Sequence, residues 1–194
     1  SAWETLMRIA ADTADVDALI FLGVPVRNKG KLYNAAAVLN RGEILGLVPK
    51  SYLPNYGEFY EQRHFVSGLG CLEFMSINGK KIPFGTNLLF VCEELQELIV
   101  AAEICEDLWV NMPPSVIHAQ AGANLIVNLS ASNEMVGKDS YRRSLVSGQS
   151  ARLVCGYVYA NAGEGESTQD LVFGGQNMIA ENGSILAEGE RFKN

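Results

Sequence analysis

The sequence is poor in histidine, in paired cysteines and in long apolar runs. It has two histidines and four cysteines in 194 residues, and no Cys-x-x-Cys pair. This spacing excludes the common zinc motifs and argues against a disulfide framework. No apolar run approaches the roughly 20 residues that a membrane helix needs, and no secretory signal pattern precedes the first predicted helix. We therefore expect reduced cysteines, no metal centre and a cytoplasmic location.

Positive charge is also scarce. Fifteen Lys and Arg residues face 22 Asp and Glu residues, which gives a net charge of −7. This balance argues against nucleic acid or an anionic membrane as the main partner. The hydrophobic share of 48% and the charged share of 19% are typical of a globular chain. The length fits a single domain over residues 1–194.

Short apolar runs and turn signals alternate along the chain. Residues 18–22 form a fully apolar run, which predicts a central strand covered on both faces. Asn40-Arg41-Gly42 and Asn78-Gly79 predict hairpins. Helices are predicted over residues 3–14, 115–121 and 138–153, and further strands over 31–39, 43–48, 72–77, 81–84, 88–92, 97–104, 124–129, 154–160, 171–180 and 184–186. Together these elements predict an α/β fold with a mixed, partly antiparallel sheet.

One stretch combines a buried strand with a reactive side chain. The mainly apolar run 98–104, in which Glu103 is the one charged residue, ends abruptly at Cys105, and the acids Glu106 and Asp107 follow at once. Two charges directly after the cysteine indicate that the chain has reached the edge of the sheet. A strand, a cysteine and then a helix after Pro113-Pro114 resemble the nucleophile elbow of hydrolases. The alternative is that Cys105 is one more buried apolar residue.

Two other predicted strands also end in polar side chains. Lys50 follows the strand 43–48 and begins a long aromatic loop over residues 50–68, and Ser132 follows the strand 124–129. A loop of this length is either functional or a solvated loop held by its aromatic side chains, and we favour function. A lysine near Cys105 would favour the thiolate and stabilise an oxyanion. Because no histidine is placed as a base, we expect a carboxylate in that role.

Three stretches carry a resemblance to a known family. Residues 49–63 (Pro-Lys-Ser-Tyr-Leu-Pro-Asn-Tyr-Gly-Glu-Phe-Tyr-Glu-Gln-Arg), 104–109 (Ile-Cys-Glu-Asp-Leu-Trp) and 128–132 (Asn-Leu-Ser-Ala-Ser) resemble the nitrilase, or carbon–nitrogen hydrolase, superfamily. Within this superfamily, these stretches are most similar to the glutaminase domains of glutamine-dependent NAD synthetases. The resemblance covers essentially the whole chain in order. It implies a nitrilase-like αββα sandwich and a Glu-Lys-Cys triad.

The resemblance also implies roles for particular residues. The nucleophile falls on Cys105, the lysine on Lys50, and Glu58 matches an additional glutamate that helps to orient the substrate amide. Glutamine carries both an ammonium and a carboxylate group, so a carboxylate and a cation would complement them. The implied substrate-binding residues are Tyr56, Glu106, Trp109, Ser132 and Lys138.

The same resemblance implies parts that this sequence does not contain. The triad's glutamate belongs to a strand before the first helix, and an ATP- and magnesium-using synthetase domain follows the glutaminase domain. We therefore expect an internal piece without its first strand–helix segment, with little or no activity alone. The glutaminase part needs no cofactor. Its implied partners are glutamine, the synthetase domain of the same chain and further copies in a homo-oligomer.

Two other functions stay open at this point. One is a stand-alone amidase or carbamoylase of the same superfamily, which would hydrolyse simple amides and ignore glutamine. The other is a non-catalytic assembly module, which would release no ammonia. A substrate panel separates all three.

Overall fold

The computed structural model describes residues 1–166 and 170–193. Its contacts group the chain into two compact units, Ser1–Leu88 and Leu89–Asn194. Each unit has its own β-sheet with parallel and antiparallel pairs, which confirms the prediction of an α/β fold with mixed sheets. No described helix is long and apolar enough to cross a bilayer.

The first unit is a five-stranded sheet with one helix packed against it. Its elements in chain order are α1 (Ala2–Asp12), β1 (Ile20–Asn28), β2 (Lys31–Asn40), β3 (Glu43–Pro49), a 3₁₀ turn (Glu61–Arg63), β4 (Leu72–Ile77) and β5 (Lys80–Gly85). The strand order is β1-β2-β3-β5-β4, in which only the β3–β5 pair is parallel. Leu6 and Ala10 lie four residues apart on one face of α1, and both are buried in the core of this unit.

Three tight turns connect the antiparallel strands of the first unit. The predicted turns at Arg41-Gly42 and Asn78-Gly79 are confirmed, and both residues of each turn have positive φ. Lys29-Gly30 makes a third turn of the same kind, between β1 and β2. Two positive φ values in succession are the mark of a type I′ hairpin, in which glycine and asparagine are the preferred residues.

The prediction of a central strand over residues 18–22 is wrong. β1 runs from Ile20 to Asn28, and in the described part of the sheet it is an edge strand paired with β2. Its apolar beginning has another cause, because Ile20 and Leu22 pack against the core cluster that includes α1. The apolar residues at 18–22 therefore indicate that one face of β1 is covered, and not that β1 lies in the middle of the sheet.

The second unit is a six-stranded sheet with two helices. Its elements are β6 (Phe90–Val91), β7 (Ile99–Ile104), a 3₁₀ turn (Cys105–Leu108), α2 (Pro114–Gln120), β8 (Leu125–Ser130), α3 (Lys138–Leu153), β9 (Gly156–Asn161), β10 (Met178–Glu181) and β11 (Ser184–Glu188). The strand order is β11-β10-β9-β8-β7-β6, and β7, β8 and β9 are parallel. This parallel centre places the ends of three strands at one edge of the sheet.

Two details of the second unit differ from the sequence prediction. The strand predicted over 171–180 begins only at Met178, because Phe173 makes no more than an isolated bridge to Asn133. The sequence pattern predicts Tyr141, Leu145 and Val146 on the inward face of α3, but Tyr141 is exposed, whereas Val146 and the neighbouring Arg142 are buried and Leu145 is partly buried. Residues 161–170 are polar and rich in glycine, which predicts a loop, but residues 167–169 of this stretch lie outside the described residues.

Candidate active site

Cys105 lies at a sharp turn directly after β7. The strand is buried up to Ile104, and Cys105 then has a φ of +47°. A residue with a side chain rarely adopts this left-handed conformation, which costs of the order of 1–3 kcal/mol and is found preferentially at functional sites. The 3₁₀ turn over Cys105–Leu108 follows. The predicted elbow is therefore present at this position in the chain.

Two side chains hold the backbone of this elbow. The buried Asp107 carboxylate accepts a hydrogen bond from the Ile104 N–H at 2.9 Å. The Asn128 side chain on β8 accepts one from the Cys105 N–H at 3.1 Å. Consecutive peptide groups are thus fixed by side chains, and the N–H of Cys105 itself is already engaged.

The ends of β8 and β9 lie beside the elbow in the same sheet. Ile104 pairs with Leu129, and Ser130 pairs with Asn161. Just beyond β8, the buried Ser132 is held by the Asn161 side chain, which accepts from the Ser132 N–H at 2.8 Å and donates to its carbonyl at 3.2 Å. Cys105 and Ser132 therefore follow neighbouring parallel strands.

The other predicted residues of the second unit lie on the two segments that follow these strands. Glu106 and Trp109 belong to the turn after Cys105, and both are half-buried. The Lys138 ammonium lies 5.3 Å from the centre of the Trp109 ring and donates to the Asn133 side chain. The turn after β7 and the beginning of α3 are thus in direct contact.

Arg142 is a buried residue of this region that sequence reasoning missed. Its guanidinium donates to the Ser132 hydroxyl at 3.3 Å and to the Asn133 carbonyl at 3.0 Å, and it lies 3.4 Å from the Glu134 carboxylate. A signal was available, because Arg142 and Val146 are four residues apart and therefore share a helix face. The arginine fixes the segment that carries Ser132.

A chain of buried polar groups runs behind the elbow. The Asn128 amide donates to the Tyr157 hydroxyl at 3.1 Å, and Tyr157 donates to the Glu103 carboxylate. The Ser115 N–H also donates to Glu103, at 2.9 Å. Burial raises the pKa of Glu103 above its ordinary value and outweighs these hydrogen bonds, which favour the carboxylate. The pKa of Tyr157 is raised well above its ordinary value, first by burial and then by the charge of Glu103.

The raised pKa of Glu103 predicts a pH dependence of stability. A carboxyl group whose pKa is higher in the folded state stabilises the fold at low pH, and that contribution is lost as the pH rises through the folded-state value. We expect the second unit to lose stability as the pH rises above the ordinary pKa range of a glutamate carboxyl group, and Glu103→Gln to show a smaller loss. Urea unfolding followed by Trp109 fluorescence, in a Trp3→Phe background, measures it. Equal losses in both proteins would contradict this expectation.

Lys50 lies in the first unit, directly after β3, and its side chain is buried. Its ammonium forms an ion pair with the Glu61 carboxylate at 2.5 Å. The Asn34 side chain donates to the same carboxylate at 2.7 Å, and the Asn34 carbonyl accepts from the Lys50 N–H at 2.8 Å. A buried lysine is therefore held in one place by the 3₁₀ turn at Glu61–Arg63 and by β2.

The predicted residues Tyr56 and Glu58 lie on the loop after Lys50, and both are exposed. The Tyr56 and Phe59 rings meet edge to face with centroids 5.8 Å apart. Both rings line a cavity of about 570 Å³. Sequence reasoning missed Glu61, which makes the contact with Lys50. No pattern in the loop distinguishes Glu61 from Glu58, and the role predicted for Glu58 stays a prediction.

Cys105 has a left-handed backbone at the end of a buried parallel strand, and polar side chains lie at the ends of the neighbouring strands. These features define an α/β protein with a nucleophile-type elbow. The carbon-nitrogen hydrolase family model matches residues 2–194. The chain belongs to the carbon–nitrogen hydrolase family, which confirms the resemblance read from the sequence.

Particular relatives agree with this assignment. The glutamine-dependent NAD(+) synthetase of Mycobacterium tuberculosis (strain ATCC 25618 / H37Rv) is 47% identical over 189 residues, which are 97% of this chain and 28% of that protein. The crystal structure of a glutamine-dependent NAD(+) synthetase from Cytophaga hutchinsonii matches with a TM-score of 0.84 and 32% identity, over 97% of this chain and 30% of that one. The chain thus spans under a third of the length of these relatives.

A more distant structure shares the fold alone. A nitrilase-superfamily amidase from Nesterenkonia has a TM-score of 0.71 and 19% identity, over 97% of this chain and 63% of that one. The nitrilase-like fold class predicted from the sequence is confirmed by these structures.

Proposed function

We propose that this chain is the glutamine-hydrolysing part of a glutamine-dependent NAD synthetase. The observation that carries the proposal is the left-handed Cys105 at the end of a buried parallel strand. The kinship with proteins named glutamine-dependent NAD(+) synthetase supports glutamine as the amide donor. The chain spans only part of those proteins, so the complete reaction is proposed for a longer protein that contains it.

In the proposed reaction, the Cys105 sulfur attacks the side-chain amide carbon of glutamine. The thiol proton passes to a glutamate base outside this sequence, as the family resemblance implies, and then to the leaving nitrogen, so that ammonia is released. The resulting thioester is hydrolysed by water, which frees glutamate and restores the thiol. The developing oxyanion is stabilised by Lys50 and by a backbone N–H. That N–H is not the one of Cys105, because it already donates to Asn128.

Lys50 is suited to this role by its fixed position. A buried ammonium held by Glu61 and Asn34 loses little freedom during the reaction, and such preorganised groups stabilise a transition state most effectively. Glu58 is proposed to help to orient the substrate amide. Glu61 has the separate task of holding the lysine.

The proposed substrate-binding residues complement the two charged ends of glutamine. Glu106 is proposed to bind the ammonium group and Lys138 the carboxylate. Tyr56, Trp109 and Ser132 are proposed to line the rest of the pocket. The contact of Lys138 with the Trp109 ring and the hold of Arg142 on the Ser132 hydroxyl support an ordered pocket wall in the second unit.

The wider setting is proposed from the family resemblance. The glutaminase part needs no cofactor, and ATP with magnesium belongs to the synthetase domain of the same chain, which receives the ammonia. We propose a homo-oligomer, no nucleic-acid or membrane partner, and a cytoplasmic location. Four unpaired cysteines support a reducing compartment.

A glutamine-like diazo ketone tests the proposal. In the longer protein we expect it to alkylate Cys105 and no other cysteine, because the reagent must first bind as glutamine does. Glutamine should protect Cys105, and asparagine, which is one methylene shorter, should not. Peptide mass spectrometry locates the adduct.

This alkylation experiment and an assay of ammonia release from different amides together separate the competing functions. Protection by asparagine but not by glutamine would overturn the proposal. Rapid hydrolysis of simple aliphatic amides with indifference to glutamine would instead identify an amidase. A protein that is neither alkylated nor able to release ammonia from any amide would be an assembly module.

A further inference from the structure

We infer that Asn128 is the positioning residue that holds Cys105 in its left-handed conformation and so aims the sulfur at the substrate. The inference rests on the proposed function, because it assigns Asn128 to the attack by Cys105. Asn128 is fully buried on β8, and its side-chain oxygen accepts from the Cys105 N–H at 3.1 Å.

The bond acts at the point where the backbone is strained. A φ of +47° places Cys105 in a conformation that a residue with a β-carbon avoids unless its surroundings enforce it. The direction of the sulfur depends on this dihedral angle, because the β-carbon turns with the backbone. A hydrogen bond on the Cys105 N–H fixes the peptide plane from which φ is measured. Asp107 fixes the preceding plane through the Ile104 N–H.

The surroundings also require an amide at position 128. Its oxygen accepts two bonds, from the Cys105 N–H and from the Ser130 hydroxyl at 2.7 Å. Its nitrogen donates to the Tyr157 hydroxyl, which in turn donates to Glu103. A flipped amide would place its NH₂ group against the Cys105 N–H and its oxygen against Tyr157. The buried tyrosine and glutamate therefore determine which end of the amide faces the elbow.

A purely structural role predicts something different. Asn124 makes a comparable bond at the other end of the same strands, where its side-chain oxygen accepts from the Ile99 N–H at 3.0 Å. That bond joins β7 to the residue just before β8, far along the strand from Cys105, and Ile99 lies in the extended backbone of β7. If Asn128 only joined the strands, its loss would weaken the fold but leave the Cys105 backbone unchanged, as the loss of the exposed Asn124 should.

The first readout is the conformation of Cys105 itself. The coupling between the amide and α protons in ¹⁵N-labelled protein reports φ, and amide exchange reports protection of the Cys105 N–H. In Asn128→Ala we expect the coupling to move toward the extended value and exchange of this amide to accelerate at least about tenfold. Asn124→Ala, the matched control, should leave both at parental values. An unchanged coupling in Asn128→Ala would overturn the inference.

The second readout is the kinetics of glutamine hydrolysis in the longer protein. Asn128→Ala should lower kcat by about 10- to 100-fold with KM unchanged, because a misdirected nucleophile affects reaction more than binding. Ser130→Ala removes only one of the three hydrogen bonds that the Asn128 amide makes, and it should give a smaller fall in kcat. It also provides a milder variant in case Asn128→Ala does not fold.

The outcomes separate this inference from the proposed function. An altered Cys105 coupling with parental kcat would refute the positioning role. A parental protein that does not hydrolyse glutamine would refute the proposed function, while the NMR comparison would still decide whether Asn128 holds the elbow.

Discussion

Cys105→Ser is expected to abolish glutamine hydrolysis in the longer protein, with a loss of at least about 10⁴-fold in kcat. A serine hydroxyl is far less acidic than a thiol, and a carboxylate base without histidine is poorly suited to activate it. Ammonia release measures the loss. NAD formation from added ammonium salt should be retained, because in the proposed scheme only the supply of ammonia depends on Cys105.

Another cysteine of the same unit provides the matched control. Burial raises the pKa of the Cys155 thiol to about 11, so it is a poor nucleophile at neutral pH. Cys155→Ala should keep glutamine hydrolysis near the parental rate, with some loss of stability from its apolar surroundings. The assignment of the nucleophile would be wrong if the Cys105→Ser protein still hydrolysed glutamine. It would also be wrong if the Cys155→Ala protein lost hydrolysis while its fold stayed intact.

The parts of the fold that the sequence predicts best are those with strong local signals. Asn78-Gly79 gives a hairpin at the expected residues, and α3 runs over the predicted range Lys138–Leu153. Both depend on local backbone preferences and on the pattern of nearby side chains. The run at residues 18–22 gave a wrong prediction of the strand's position in the sheet, because an apolar segment shows only that its side chains are covered. Whether the cover is a helix on one face or a strand on each side depends on distant parts of the chain.

The same contrast holds for the candidate site. Cys105 can be found from the sequence because an apolar strand and two acids meet there. The left-handed backbone of Cys105 agrees with its interpretation as a nucleophile. No residue type in the sequence predicts this conformation, because it depends on Asn128 in another strand. Glu61 and Glu58 lie on the same loop, and the 3₁₀ turn decides that Glu61 reaches Lys50. Arg142 was missed because charge on a helix normally indicates a solvated face.

Lys50→Met is the second substitution with a large expected effect, and it should act on both activity and stability. Removal of an oxyanion-stabilising group costs about 10²- to 10³-fold in kcat. Removal of one partner from a buried ion pair costs about 3–5 kcal/mol, because the other charge is left without compensation. The remaining charge is on Glu61. Among the described hydrogen bonds, only the one from the Asn34 side chain would still reach its carboxylate. Ammonia release measures the first effect in the longer protein. Urea unfolding followed by Trp3 fluorescence, in a Trp109→Phe background, measures the second in this chain.

Because one substitution changes two properties, a second one must separate them. Adding Glu61→Gln removes the uncompensated charge, so the double variant should regain most of the stability while kcat stays low. The exposed pair between Lys80 and Glu43, with the same 2.5 Å separation, is the matched control. Lys80→Met should change neither property appreciably, because exposed ion pairs contribute little. Recovery of kcat in the double variant would mean that Lys50 serves only the fold, and the lysine would then have to be removed from the proposed mechanism.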